Sequence, residues 1–219
     1  MPDAPVVGID VGGERKGFHA VALDLAGRCE RFASPEVAAV VDWCRDLGAR
    51  VIAIDAPCRW SLNGRSRPAE RALAAVGIRA FATPSAAVAA QHPFYRWMLS
   101  GAALYAAIEP TWHLFDGGTV GDRPVCCETF PHAVACALAG RLLPARHKRT
   151  LRRALLAAAG VETHVLTGMD DIDAALCALA ARALLLGGFH AFGDPVEGFI
   201  LVPDGPAVSR PGGTICHRP

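Results

Sequence analysis

Apolar and polar positions alternate with two different periods along the 219-residue chain. Residues 6–10 form a short apolar run closed by Asp10, residues 17–25 alternate in part, and residues 28–33 return after the turn signal Ala26-Gly27. The three segments predict an antiparallel meander. Ser34 then reads as a helix N-cap with Pro35 at the first helical position. The helix runs to Leu47, where Gly48 stops it, and Val37, Val40, Val41, Cys44 and Leu47 share one face.

Residues 51–54 are continuously apolar and end at Asp55, the pattern of a parallel strand covered on both faces. Beyond a polar loop at 63–67, helices are expected at 68–76 and within 84–108, interrupted by Pro93. Residues 111–124 read as loop. A strand follows at 125–130, then helices at 132–140, 148–159 and 170–186, and a final edge strand at 197–202. No repeat, low-complexity tract or linker breaks the pattern. The expectation is one α/β domain over 1–219, a mixed sheet flanked by helices, with a helical insertion at about 60–124 after the fourth strand.

Composition narrows the class. Apolar residues make up 52% of the chain and charged residues 20%, enough for a buried core. A formal net charge of +1 means that any nucleic-acid surface must be a local basic patch. Met1-Pro2-Asp3 opens no secretory signal, and the apolar stretch 174–189 is broken by Arg182 and short for a membrane span. A cytoplasmic protein with reduced thiols and no membrane partner is expected. The eight cysteines contain no CxxC pair and read as small core residues. Zinc sites at Cys126, Cys127 and His132, or at Cys216 and His217, would need spacings outside the common patterns.

The acids carry the chemistry. Asp10 and Asp55 each end an apolar strand, which places them at the carboxyl edge of the sheet, where open α/β sheets carry ligands. On neighbouring strands their charges would repel and raise at least one pKa. A divalent cation relieves that repulsion, and hard oxygen ligands select Mg²⁺ or Mn²⁺. Taken singly, Asp10 also reads as a turn residue before Gly12-Gly13 and Asp55 as a helix cap. Asp170 and Asp173 share one helix face, with Asp170 also readable as a cap. Asp173 precedes Ala174-Ala175, small enough to let the helix approach a sheet.

These residues, in this order, resemble the DUF429 family of bacterial and archaeal proteins, described as predicted nucleases with an RNase H fold. The resemblance rests on Gly8-Ile9-Asp10-Val11-Gly12-Gly13 with Lys16-Gly17, on Ile54-Asp55-Ala56-Pro57, and on Gly64-Arg65 through Arg67 with Glu70 and Arg71. It continues through Glu128-Thr129-Phe130-Pro131, Asp171-Ile172-Asp173-Ala174, and Glu197-Gly198-Phe199-Ile200 with Pro203. It implies an RNase H-like fold of the ribonuclease H and resolvase superfamily. That superfamily carries acids on the first strand, at the end of the fourth and on the last helix. The implied roles fall on Asp10, Asp55 and Asp173, with Asp170 as a further metal ligand.

A nuclease built this way would use two metals about 4 Å apart, bridged by Asp10, Asp55 and Asp173. Glu128, on a later strand edge, reads either as a further catalytic acid or as a buried acid bonded to a loop. Phosphate contacts are expected from Lys16, from the loop arginines Arg59, Arg65, Arg67 and Arg71, and from the run Arg141, Arg146, His147, Lys148, Arg149, Arg152 and Arg153. Such a run also reads as the solvated face of a helix. Phe94, Tyr95 and Trp97 could stack bases or simply pack. Two other functions compete with a nuclease. One is a non-catalytic binding module of the same fold. The other is an actin-like ATPase or kinase, for which no convincing second glycine-rich phosphate loop is found.

Overall fold

The computed structural model describes residues 4–13, 16–144 and 146–208. Three strands, β1 (Val6–Val11), β2 (Phe18–Leu23) and β3 (Cys29–Ser34), form the expected antiparallel meander. Helix α1 (Val37–Asp46) leads to β4 (Val51–Asp55), which lies parallel to β1. The helix starts after Glu36. Ser34 is not its cap: it lies two residues before the cap position Glu36, and its hydroxyl accepts from the Glu36 backbone N–H at 3.0 Å.

The segment after β4 carries α2 (Pro68–Ala75), α3 (Ala86–Gln91), a 3₁₀ turn at Pro93–Tyr95, α4 (Arg96–Ile108) and a short strand β5 (His113–Leu114). Strand β6 (Val125–Thr129) pairs parallel with β4. Helices α5 (Pro131–Ala139), α6 (Lys148–Ala158) and α7 (Met169–Leu186) follow, and the hairpin β7 (Phe189–Asp194) and β8 (Gly198–Pro203) completes the described chain. The strand order is β3-β2-β1-β4-β6-β8-β7, with β5 beside β6. Two expectations are corrected. Residues 111–124 hold β5, and the final strand is not an edge, because β7 pairs outside it.

Helices cover both faces of the sheet. On one face Val7, Ile9, Ile52, Ile54 and Cys126 pack against α1 and α4. On the other, Val6, Val51, Ala53 and Cys127 pack against α7, with α5 and α6 beside it. The alternation along each strand is the period-2 pleat of a sheet covered on both sides. Gly8 is the contact that lets α7 lie close: a Cβ there would meet the backbone of Ala174 and Ala178. This close approach brings the acidic first turn of α7 to the end of β1. Among the described residues no helix is long and apolar enough to cross a membrane.

Candidate functional site

Asp10 and Asp55 are register partners on adjacent parallel strands. Gly8 faces α7, and Val51 and Ala53 pack in the cluster around α7. Pleat alternation therefore puts Asp10 and Asp55 on that same face. Helix α7 delivers Asp170 and Asp173 to the same place, where the charges of Asp10, Asp55, Asp170 and Asp173 act on one another. The sheet edge and the helix start thus converge on one carboxylate cluster.

The cluster is electrostatically unsatisfied. Burial, then the charges of Asp173 and Asp170, push the Asp10 carboxyl from its ordinary value of 3.8 up to about 7, against the smaller opposing effects of Lys16 and Arg152. Asp55 is held well above the usual carboxylate range by burial and then by Asp10 and Asp173. Asp173 is raised by burial, which its pairing with Arg152 only partly offsets. Lys16 and Arg152 bring positive charge by direct contact, and Lys148 acts on Asp173 from a distance. Lys16 Nζ bonds both oxygens of Asp170, at 2.9 and 3.0 Å. Arg152, from the basic run on α6, turns inward and pairs with Asp173.

Asp171, not Asp170, caps α7. One of its carboxylate oxygens accepts from the backbone N–H groups of Thr167 at 2.8 Å and Gly168 at 2.9 Å, and from the Arg31 guanidinium at 2.7 Å. Burial alone would raise its pKa, but these bonds hold it well below the ordinary range. The acid next to the cluster is thus a structural clamp between the helix start and β3.

Among the described residues no three His, Cys, Asp or Glu side chains stand in ready-made metal-binding geometry. The donor chemistry nevertheless fits a hard divalent ion: an all-carboxylate set whose mutual repulsion a cation would relieve. The zinc reading of Cys126, Cys127 and His132 fails. The two cysteines point to opposite faces of β6 and are fully buried, while His132 lies against the Cys136 sulfur at 3.9 Å. Cys216 and His217 lie outside the described residues.

Glu128 does not join the cluster. It is register partner to Ile54, on the opposite face of the sheet from Asp55. Its oxygens accept from Arg67 at 2.6 and 2.9 Å and from the Cys58 backbone N–H at 2.8 Å. Arg67, expected to meet phosphate, is only 1% exposed and also bonds Glu70 at 2.9 Å. It braces the loop after β4 from inside. Other basic side chains are likewise engaged internally: Arg59 pairs with Glu109, and Arg153 donates to the carbonyl oxygens of Thr163 and Leu166. Arg65, Arg71, Lys148 and Arg149 sit on the exposed surface, Arg149 donating to the Thr167 carbonyl.

A cleft of about 540 Å³ opens onto Asp55 and Asp173, lined also by Arg79, Phe81, His132 and Lys148. Burial, then the charges of Arg152 and Lys148, lower the His132 pKa, which favours the uncharged imidazole. Arg152, expected among the phosphate contacts, is instead committed to Asp173, and Arg79 and Phe81 line the cleft with no motif of their own. No local pattern marks which arginine of a basic run turns inward.

The meander β1–β3, with β4 and β6 added in parallel beside β1 and the last long helix bringing acids to the ends of β1 and β4, defines an RNase H-like fold. The chain belongs to the DUF429 family, described as "Protein of unknown function", whose match spans residues 8–197. No curated protein matches the chain in sequence. Among solved structures it is similar to Thermus thermophilus RuvC, with 16% identity, a TM-score of 0.39, and coverage of 80% of this chain and 90% of that one. It is also similar to T. thermophilus RuvC in complex with a Holliday junction substrate, with 20% identity, a TM-score of 0.42, and coverage of 84% and 96%.

Proposed function

We propose that this protein is a divalent-metal-dependent nuclease that hydrolyses phosphodiester bonds. The observation that carries the reading is the pairing of Asp10 with Asp55 on the α7 face, the Asp10 pKa being raised by burial and by Asp173 and Asp170, and that of Asp55 by burial and by Asp10 and Asp173. A half-buried carboxylate cluster whose charges repel has the chemistry of a cation site, and strongly perturbed acids in a cleft mark functional centres.

Asp10, Asp55 and Asp173 would hold Mg²⁺ or Mn²⁺, with Asp170 as a further ligand. Bound there, the ion supplies Lewis-acid stabilisation of charge on the phosphate and lowers the pKa of water. Lys148 lines the same cleft, and Lys16 stands beside Asp170, so both attract the anionic backbone toward the acids. Arg65, Arg71 and Arg149 are exposed and would be further contacts to phosphate. His132 lines the same cleft, and on this reading its uncharged imidazole would be a proton acceptor.

The test is cleavage of labelled single-stranded, duplex, hybrid and branched substrates with Mg²⁺ or Mn²⁺. Activity should disappear in chelator and in Asp55→Asn. Equal cleavage by that variant would assign the activity elsewhere and sink the proposal. One observation favours a second reading, a non-catalytic module of the same fold. Arg152 and Lys16 already supply positive charge to Asp173 and Asp170. That reading requires Mn²⁺ to leave the unfolding temperature unchanged.

A further inference from the structure

Large aromatic side chains are usually buried, and the segment after β4 breaks this rule at one place. Phe81 is 66% exposed and Phe94 is 48% exposed. Their rings meet edge to face, with centroids 5.5 Å apart and planes at 71°. Tyr95 stands 5.1 Å from Phe94 at 83°, and His92 lies 5.5 Å from Tyr95. The four rings form one cluster on the surface, with Phe81, Phe94 and His92 exposed and Tyr95 half-buried.

The position of this cluster gives it meaning. Phe81 lines the 540 Å³ cleft that contains Asp55, Asp173, Arg79 and Lys148. Phe94 lines a second cleft of about 470 Å³, with Val11 at the end of β1, Lys16 and Arg96. The Phe81–Phe94 pair therefore stands between two openings, each lined by cationic side chains and each reaching a strand end that carries a cluster acid. Both volumes fall in the range of about 300–1,000 Å³ typical of small-ligand sites.

We infer that the Phe81–Phe94 ridge is a stacking site for unpaired nucleobases, and that the protein selects single-stranded nucleic acid over duplex. This rests on the nuclease reading of the neighbouring acids for its consequence, but not for its test. A paired base in a duplex has both faces covered by its neighbours, whereas an unpaired base offers a face to an exposed phenyl ring. The cations beside each ring supply the complementary charge for the phosphates on either side of that base. Stacking tolerates any base, so the site discriminates by strandedness and not by sequence.

The experiment is fluorescence anisotropy in chelator, where cleavage cannot occur. The probes are a labelled oligothymidylate of about 12 nucleotides, the same strand with abasic residues, and a blunt duplex of equal length. Wild type should bind the thymidylate at least about tenfold more tightly than the abasic strand or the duplex. Phe81→Ala and Phe94→Ala should each weaken thymidylate binding about fivefold or more and leave the abasic strand unaffected. Phe81→Trp should restore binding, which shows that the ring and not the fold is at issue. Equal binding of thymidylate and abasic strands, unchanged binding by both alanine variants, or no binding of any probe would overturn the inference. Asp55→Asn separates the two readings. Base-dependent binding by wild type and Asp55→Asn, without cleavage by wild type in Mn²⁺, keeps the ridge and removes the nuclease. Cleavage with base-independent binding does the reverse.

Discussion

Two groups of acids lie at neighbouring strand ends and behave in opposite ways. Glu128, at the end of β6, faces one side of the sheet and shares Arg67 with Glu70. Leu62 closes the same region by donating its backbone N–H to Glu197 at 2.6 Å. Asp10 and Asp55 face the other side and meet mainly other acids. Where each acid has a fixed cation and backbone donors, the group is architecture. Where acids are driven together with too little positive charge, the fold spends stability to keep a site ready for a cation.

The sharpest way to break this comparison is to remove a partner from the satisfied network. Glu128→Ala leaves the buried Arg67 guanidinium facing only Glu70 and backbone oxygens. Breaking a buried pair in this way should cost about 3–5 kcal/mol, measured by urea unfolding. A loss below about 1 kcal/mol would show that the network is not a brace and would reopen a role for Glu128 in the chemistry.

The unsatisfied cluster predicts the opposite sign. Burial and then Asp173 and Asp170 raise Asp10 from 3.8 to about 7. Between these values the folded protein holds a proton that the unfolded chain has released. In chelator, stability therefore falls as pH rises through this window, and the deficit is complete above it. Asp10→Asn removes the charge and should be more stable than wild type by about 1–3 kcal/mol near pH 8, and equally stable near pH 4. Saturating Mg²⁺ should reverse the order, stabilising wild type by about 2.7 kcal/mol at a hundredfold excess over Kd and leaving Asp10→Asn unmoved. A variant less stable than wild type near pH 8 in chelator would mean that the cluster is not strained.

These opposite signs were only half legible in the sequence. Asp10 and Asp55 could be read because each closes an apolar run, and Asp173 because Ala174-Ala175 permits a close helix. The pleat parity that separates Glu128 from Asp55 was also available. Val125 and Cys127 alternate with Cys126 and Glu128 just as Val51, Ala53 and Asp55 alternate with Ile52 and Ile54, but the registers became comparable only once β4 and β6 were paired. Arg67 could not be assigned, because its partner Glu128 is 61 residues away in sequence and no local pattern ties them. The same holds for Arg152, which shares a run with solvent-facing cations. Strand β7 escaped because His190 and Gly193 interrupt its apolar character. Asp170 and Asp171 are adjacent, and only the bonds from Thr167 and Gly168 distinguish the cap from the cluster member.

The smallest expected effect falls where the two kinds of charge meet. Lys16 bonds Asp170 from a side chain 61% exposed, with Asp170 at 27%. An exposed pair of this kind contributes about 0–1 kcal/mol, so Lys16→Ala should barely move the unfolding midpoint. If Lys16 only holds the place of a metal charge, removing it frees Asp170 and should tighten Mg²⁺ binding a few-fold at low salt, with the gain fading as ionic strength screens it. Isothermal titration at two salt concentrations reads this directly. Weaker Mg²⁺ binding in Lys16→Ala at both concentrations would instead make the Lys16–Asp170 pair part of the architecture. The acids at the start of α7 would then belong with Glu128 rather than with Asp10.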